Sequence, residues 1–164
     1  MGEYATTADC GVFDIRIDQD GLWFYHGTPI GRKELVKLFA SVLTRDDQGR
    51  YLLETPVERG VIQVEDAPFV AVELTREGEG PRQKLIFRTN IDEIVTADHE
   101  HPLRVATDEK TEEPNPYLLV RPGLEARLTR PVFYELVELG EERGDTLGVW
   151  SSGEFFTLGS IAAC

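Results

Sequence analysis

The sequence predicts an α+β protein made of two small domains that arose by internal duplication, with mainly antiparallel sheets. Short segments of alternating apolar and polar residues, typical of strands, occupy most of the 164 residues. Two amphipathic segments indicate helices, and each follows one strand pair and precedes another. A proline-containing connector separates the halves, so the predicted motif is β-β-α-β-β, present twice.

The first half begins with a hairpin and continues into a helix. Residues 12–18 alternate as a half-buried strand, Asp20-Gly21 is a turn signal, and residues 22–25 return as the second strand. Residues 31–44 place their apolar side chains on one helical face. Thr28 or Gly31 is expected to cap this helix, with Pro29 in its first turn. Two further strands are expected at residues 51–54 and 61–65.

The second half reads as a longer run of strands with one helix. The helix is expected at residues 129–139 with Thr129 as its cap, and residues 108–116 are expected to form a solvated acidic loop. Strands are expected at residues 69–75, 84–89, 94–97, 103–107, 117–121, 124–128, 147–151 and 154–158.

The duplication rests on the two helices and fixes the predicted domain boundary. Residues 34–38 (ELVKL) and 135–139 (ELVEL) match at four of five positions with one constant offset. The connector at residues 65–68 is rigid and polar, because Pro68 fixes its own φ and moves Ala67 out of the helical region. The predicted domains are therefore residues 1–66 and residues 67–164.

The composition restricts the partners and the compartment. The net charge of −13 opposes binding to a nucleic-acid polymer or an anionic membrane, although a local arginine cluster can still hold a small anion. No apolar run is long enough to span a membrane, and the first ten residues do not resemble a signal peptide. We therefore expect a cytoplasmic protein in which Cys10 and Cys164 are free thiols.

Several long segments resemble the bacterial family called domain of unknown function 1285. They include DGLWFYHGTPIGRKELVKLFASVL, YLLETPVERGVIQVEDAPFV, LIFRTNIDEIV, HPLRV and PYLLVRPGLEARLTRPVFYELVELG. The resemblance implies a duplicated core of two domains, the C-terminal one superficially like a pleckstrin-homology barrel. It also implies a cleft between the domains for a nucleotide-based ligand and a role in signal transduction.

Four arginines near the ends of predicted strands are the best candidates for binding an anion. Guanidinium groups bind oxyanions bidentately, so Arg88, Arg104, Arg121 and Arg127 could together hold phosphates. The alternative is that each arginine pairs with a surface carboxylate. Arg32, near the start of the first helix, is a weaker fifth candidate.

Carboxylates and aromatic residues complete the predicted site at the domain interface. Glu58 and Asp66 could accept from a sugar or a base, or serve as polar linker residues. The remaining predicted ligand-binding residues are Phe69, Asn90 and Tyr117. On residues 23–25, one strand face is expected to pack on the helix, and the other could stack a base or cover an edge.

Nothing in the sequence indicates catalysis, a cofactor or a defined metal site. The Asp98-His99-Glu100-His101 segment could contribute metal ligands but reads as an exposed turn, and no phosphate-loop, nucleophile-elbow or zincin motif is present. We therefore expect a ligand-binding or sensor protein for a small anionic, nucleotide-like molecule. The alternatives are a protein-interaction adaptor that uses residues 69–75 as an exposed edge strand, and a metal-assisted phosphate-ester hydrolase.

Overall fold

The computed structural model of the chain describes residues 11–160, so Cys10 and Cys164 lie outside the described residues. The described residues divide into two compact units, residues 11–68 with 122–124 and residues 69–121 with 125–160. The described residues form two α-helices and fifteen strands, and most strand pairs are antiparallel. The predicted α+β class with two domains is confirmed. Neither helix has the length and apolar composition needed to cross a membrane.

The first unit consists of one six-stranded sheet and one helix. Its elements are β1 (Gly11–Ile17), β2 (Trp23–Tyr25), β3 (Thr28–Pro29), α1 (Lys33–Ser41), β4 (Leu43–Arg45), β5 (Tyr51–Glu54) and β6 (Arg59–Val64). The strand order is β3-β2-β1-β6-β5-β4. The central pair, β1 and β6, is parallel, and the outer pairs are antiparallel.

Strand β1 has an irregular register in its middle. Val12 pairs with Val61 and Arg16 pairs with Gln63, so three β1 residues lie opposite a single β6 residue. Such bulges change the direction in which side chains point. On the neighbouring strand, a Cβ added to Gly60 would lie 2.6 Å from the Phe13 ring. The absent side chain at Gly60 therefore leaves space for that ring.

Helix α1 ends earlier than predicted. The apolar periodicity continues to Leu43 and predicted a helix to residue 44, but the helix ends at Ser41, and Leu43–Arg45 forms strand β4, paired with β5. The turn between these strands is fixed by Asp46, whose Oδ1 accepts from the backbone N–H of Arg50 at 2.8 Å. Strand pairing in the folded chain therefore overrides the local helical pattern.

The predicted cap of α1 is also wrong. His26 and Gly27 have φ values of 50° and 78°, as in the tight turns that join hairpin strands. This turn places Thr28 and Pro29 in strand β3. The N-cap of α1 is instead Arg32, whose side chain makes no capping hydrogen bond.

The second unit contains a six-stranded sheet, a three-stranded sheet and one helix. The elements are β7 (Phe69–Glu77), β8 (Lys84–Thr89), β9 (Ile94–Thr96), β10 (Leu103–Thr107), β11 (Pro114–Arg121), β12 (Leu124–Leu128), α2 (Arg130–Glu138), β13 (Glu141–Arg143), β14 (Thr146–Ser151) and β15 (Glu154–Ser160). A short 3₁₀ helix, Gly80–Arg82, precedes β8. The larger sheet has the order β10-β11-β12-β7-β8-β9, and β12 and β7 are parallel. The smaller sheet has the order β13-β14-β15.

Strand β7 lies in the middle of its sheet, so the predicted edge strand at residues 69–75 is wrong. It pairs with β12 on one side and with β8 on the other, and Phe69 and Ala71 are fully buried. The sequence shows an alternating strand but does not show its neighbours. Two smaller differences are that β11 begins at Pro114 and that β13 was not predicted.

Both helices have the predicted neighbours, with a strand pair before and after each. Helix α2 also has the predicted cap, because Thr129 Oγ1 accepts from the backbone N–H of Val132 at 3.4 Å. The matching pentapeptides do not occupy equivalent places, however: one begins at the second residue of α1 and the other at the sixth residue of α2. The structural similarity of the two halves therefore lies in their strands and not in that short match.

Candidate functional site

The first unit contains a cavity of about 620 Å³ next to α1. Its lining comes from β1, β2, α1, β5 and the segments that adjoin them, and it is almost entirely apolar. The lining residues are Phe13, Ile15, Tyr25, Ile30, Leu35, Phe39, Val42, Leu53, Thr55, Val57 and Glu58. A volume of this size is typical of small-molecule sites.

Helix α1 presents two different faces. Val36 and Ala40 are buried, as expected for the face that packs on the sheet. Leu35, Phe39 and Val42 recur at the spacing of a second helical stripe, and they line the cavity while remaining half-exposed. This second stripe lacks the close packing that normally surrounds large apolar side chains.

A four-residue turn between β5 and β6 forms one side of the cavity. Thr55 N–H donates to the Glu58 carbonyl at 2.9 Å, and Glu58 N–H donates to Thr55 Oγ1 at 3.0 Å. Val57 at the tip of the turn is 89% exposed. Among the described residues, the Glu58 carboxylate has no hydrogen-bond or ion-pair partner. The turn therefore places an exposed carboxylate next to an apolar cavity.

The aromatic residues of β2 are distributed as the strand alternation predicts. Trp23 is buried, and its ring stacks on Phe39 of α1 at 6.2 Å between centroids. Tyr25 is half-exposed at the cavity, and its ring centroid lies 4.0 Å from that of His26 with the two rings tilted by 55°. Phe24 lies instead under the guanidinium of Arg16, 4.2 Å from the ring centroid. The residues that face the helix and the cavity are thus Trp23 and Tyr25.

Arg104 and Tyr117, both predicted site residues, lie opposite each other on β10 and β11. The Arg104 guanidinium lies 4.5 Å from the Tyr117 ring centroid. It also donates two hydrogen bonds to the Glu125 carboxylate, at 2.7 and 2.8 Å. This bidentate pairing already uses the fork geometry by which arginine binds an oxyanion.

Arg121 and Arg127 have partners of their own. Arg121 Nη2 lies 3.6 Å from Glu93 Oε1, and its guanidinium lies 5.4 Å from the centroid of the buried Phe69 ring. Arg127 Nη2 donates to Asn115 Oδ1 at 3.0 Å. Phe69 is therefore a core residue beneath a guanidinium.

Arg88 lies on β8 between two carboxylates. It donates to Glu73 and to Asp92, both at 3.1 Å, and the hydrogen bond to Glu73 is the main reason why the pKa of Arg88 is raised. Arg88 and Arg104 are four strands apart in one sheet, a separation of roughly 19 Å. The four arginines are thus spread across the sheet, and each faces an oxygen acceptor from the protein.

The other predicted interface residues have local structural contacts. Asn90 joins the β8–β9 turn to β7, because its Oδ1 accepts from Val70 N–H at 3.0 Å and its own N–H donates to the Val70 carbonyl at 2.8 Å. Asp66 is half-buried just after β6. The predicted location of the site between the two domains stays a prediction.

The Asp98–His101 segment is a turn held by its own side chains. Asp98 Oδ1 accepts from the backbone N–H groups of Glu100 and His101 and lies 2.9 Å from His101 Nδ1. Burial raises the pKa of Asp98, but these hydrogen bonds outweigh it and lower that pKa overall. Over residues 11–160, no group of three or more His, Cys, Asp or Glu side chains is arranged to hold a metal ion.

Of the residues that line the cavity, the sequence singles out only Glu58, for a site at the domain interface, and Tyr25, as one of the aromatic residues of the second strand. Phe13, Leu35 and Phe39 were assigned to strands or helix faces as ordinary apolar residues. Periodicity identifies the face on which a side chain lies, but it does not show whether that face is filled. The sequence carried no signal for the unfilled space, because its apolar pattern predicted a longer helix than α1 and did not show the width of the sheet.

Comparisons with known proteins agree on one family. Models of the N-terminal and C-terminal domains of the family of unknown function DUF1285 match residues 6–67 and 68–158. A crystal structure of a DUF1285 family protein from Silicibacter pomeroyi DSS-3 is 48% identical, with a TM-score of 0.88, and the match covers 92% of this chain and 82% of that one. A second, from Shewanella baltica OS155, is 32% identical with a TM-score of 0.61, covering 77% of this chain and 92% of that one.

No curated protein matches the chain. The two domain models together span most of the sequence, and the first of these crystal structures shares nearly half of its residues over almost the whole chain. The same long segments that suggested the family in the sequence lie within the matched regions. On these grounds the chain belongs to the DUF1285 family, whose function is uncharacterised.

Proposed function

We propose that this protein binds a small molecule and that the cavity of the first unit is the binding site. The single observation that supports the proposal most is the combination of about 620 Å³ of space, an apolar lining and a carboxylate beside it. Ligand sites are commonly concave and apolar, with a few polar groups that orient the ligand. A binding or sensor role fits this geometry better than catalysis, because the lining offers no nucleophile paired with a base.

Burial of ligand would supply the binding free energy. The half-exposed stripe of Leu35, Phe39 and Val42 would lose contact with water when a ligand fills the cavity. Each Å² of apolar surface removed from water contributes about 25 cal/mol. The rings of Phe13 and Tyr25 would favour a ligand that carries a flat or extended apolar group.

A nucleotide-like ligand is the narrower form of this proposal that the sequence suggested. A base would contact the rings of the cavity, and Glu58 would accept from an amino or hydroxyl group. The phosphates need cations, and the arginines of the second unit already face Glu125, Glu93, Glu73 and Asp92. An anionic ligand would therefore have to displace carboxylates, which makes this form, and a signalling role based on it, the less supported one.

A thermal-shift screen tests the proposal. The compounds are nucleotides, cyclic dinucleotides, and small aromatic and alkyl molecules, and a ligand that binds the folded state raises Tm. Leu35→Trp fills the cavity from α1, and Tyr134→Trp, at a half-exposed position of α2, is the matched control. We expect ligands that stabilise the wild type and Tyr134→Trp but not Leu35→Trp.

Arginine variants separate the two forms of the proposal. If a nucleotide still stabilises Leu35→Trp but not Arg88→Ala or Arg121→Ala, the site lies on the arginines and the cavity assignment is wrong. If no compound in the screen changes the Tm of the wild type, small-molecule binding loses its support, and the search turns to protein partners of the adaptor type.

A further inference from the structure

The charges around the cavity are asymmetric. Glu58 is its one ionisable carboxylate, and no lysine, arginine or histidine is among the lining residues. Arg59, next in sequence to Glu58, lies 3.2 Å from Glu54 through its Nε. A bound molecule would therefore meet a negative charge at the cavity and no cation of the lining to balance it.

The hydrogen-bonding groups of the turn between β5 and β6 also favour a positively charged ligand. The Thr55 hydroxyl donates to the Glu58 carbonyl at 3.0 Å and so is engaged within the turn. The Glu58 carboxylate accepts no hydrogen bond from the described residues. An anionic head group would face a like charge, whereas an ammonium group would gain both an ion pair and a charge-assisted hydrogen bond.

We infer that the ligand of this cavity is an amphiphilic cation, with an apolar body inside the cavity and a protonated amine at Glu58. The inference rests on the proposed function and deepens it, because it names the chemical class that the site selects. The apolar body supplies most of the affinity by burial, and the amine supplies the preference among otherwise similar molecules.

Three ten-carbon probes with the same body and different heads test the inference. They are decylammonium, decanol and decanoate, titrated below their micelle concentrations by calorimetry. Exposed ion pairs contribute little, so we expect decylammonium to bind about threefold to fivefold more tightly than decanol, and decanoate to bind most weakly. The preference should shrink in about 1 M salt, because the screening length there falls to about 3 Å, which is comparable with the length of an exposed ion pair.

Variants at Glu58 separate a local effect from general attraction to an acidic protein. The net charge of −13 attracts any cation, so Glu77→Gln, which removes one exposed carboxylate from the end of β7, is the matched control. We expect Glu58→Gln to abolish the preference for decylammonium and Glu58→Lys to reverse it in favour of decanoate. Glu77→Gln should leave the preference unchanged.

The outcomes distinguish the inference from the proposed function. If all three probes bind equally and Leu35→Trp abolishes binding, the cavity is a ligand site but the inferred cationic class is wrong. If Glu58→Gln and Glu77→Gln reduce the preference equally, the effect belongs to the net charge, and the inference is again wrong. If none of the probes binds the wild type, the inference fails, and the proposed function fails with it only if no compound in the thermal-shift screen stabilises the protein.

Discussion

The two units contain six-stranded sheets of the same design and cover them differently. In each sheet the first and last strands are parallel neighbours at the centre, and the other strands follow outward on either side. In the first unit, α1 lies between the third and fourth strands. In the second unit that connection is a loop, and α2 follows the sixth strand together with the sheet β13-β14-β15.

The number of elements that pack on each sheet explains why the first unit has a cavity. Six strands span roughly 24 Å, whereas a helix with its side chains is about 10 Å wide. One helix therefore cannot cover the apolar face of a whole sheet. In the second unit both α2 and β14 pack against the larger sheet, and the Ser151 hydroxyl accepts from Leu85 N–H at 2.9 Å and donates to the Ala97 carbonyl at 2.6 Å.

The helices should therefore differ most in what their leucines contribute to stability. Leu136 of α2 is fully buried, and Leu136→Ala should lower the free energy of unfolding by about 2–5 kcal/mol. Leu35 of α1 is half-exposed beside the cavity, so Leu35→Ala should lower it by about 1 kcal/mol or less. Urea unfolding measures both, and equal losses would contradict the comparison.

Two glycines probe how closely each unit is packed. A Cβ at Gly148 would lie 2.5 Å from the Phe155 ring and 2.6 Å from the Phe156 carbonyl oxygen, so Gly148→Ala should destabilise by about 1–3 kcal/mol. The three atoms nearest to a Cβ at Gly60 all belong to the Phe13 ring, which adjoins the cavity and can shift. Thermal unfolding of Gly60→Ala should therefore show the smaller loss, whereas its ligand affinity should fall. A larger loss for Gly60→Ala would mean that Phe13 has no space to move.

The helix caps give a smaller contrast. Thr129→Ala removes the side-chain acceptor for Val132 N–H and should destabilise the protein by about 1 kcal/mol. Arg32→Ala removes no capping bond and should change stability by a few tenths of that amount. Chemical denaturation of the two variants provides the check, and comparable losses would show that Arg32 stabilises α1 by another contact.

The smallest expected effect concerns Asp98 in the loop between β9 and β10. This loop joins the third and fourth strands of the second unit, as α1 does in the first. The pKa of Asp98 is lowered in the folded protein, so its contribution to stability is present above the ordinary carboxyl pKa of 3.8 and is lost as the pH falls through the folded-state value. Wild type should therefore be more stable than Asp98→Asn at neutral pH, and the difference should narrow in acid. Thermal unfolding against pH measures it, and a difference that does not depend on pH would contradict this account.

The sequence was sufficient for the strands that are bounded by strong turn signals. Residues 84–89, 103–107 and 124–128 were predicted with the observed bounds, because alternation and flanking glycine or proline define them locally. Strands β4 and β13 were missed because each follows a helix within a few residues. Their identity depends on pairing with β5 and β14, which a local pattern does not show.

The site was harder to predict for a related reason. The sequence shows Arg104 but not that Glu125 lies on a neighbouring strand and engages it. Likewise it shows the apolar stripe of Leu35 and Phe39 but not the space beside them. Glu58 was predicted as a carboxylate near the connector between the domains, for a site at the domain interface and not for this cavity. Pairings and unfilled volumes depend on the whole fold, so they become visible only in three dimensions.

A methyl-labelled NMR titration with decylammonium tests the central claim most directly. If the cavity binds the ligand, shifts should concentrate on the lining methyl groups of Ile15, Ile30, Leu35, Val42, Leu53 and Val57. The buried methyl groups of Leu85, Leu118 and Leu136 in the second unit serve as internal controls and should not move. Shifts spread evenly over both units, or no shifts at saturating ligand, would contradict the assignment of the cavity as the binding site.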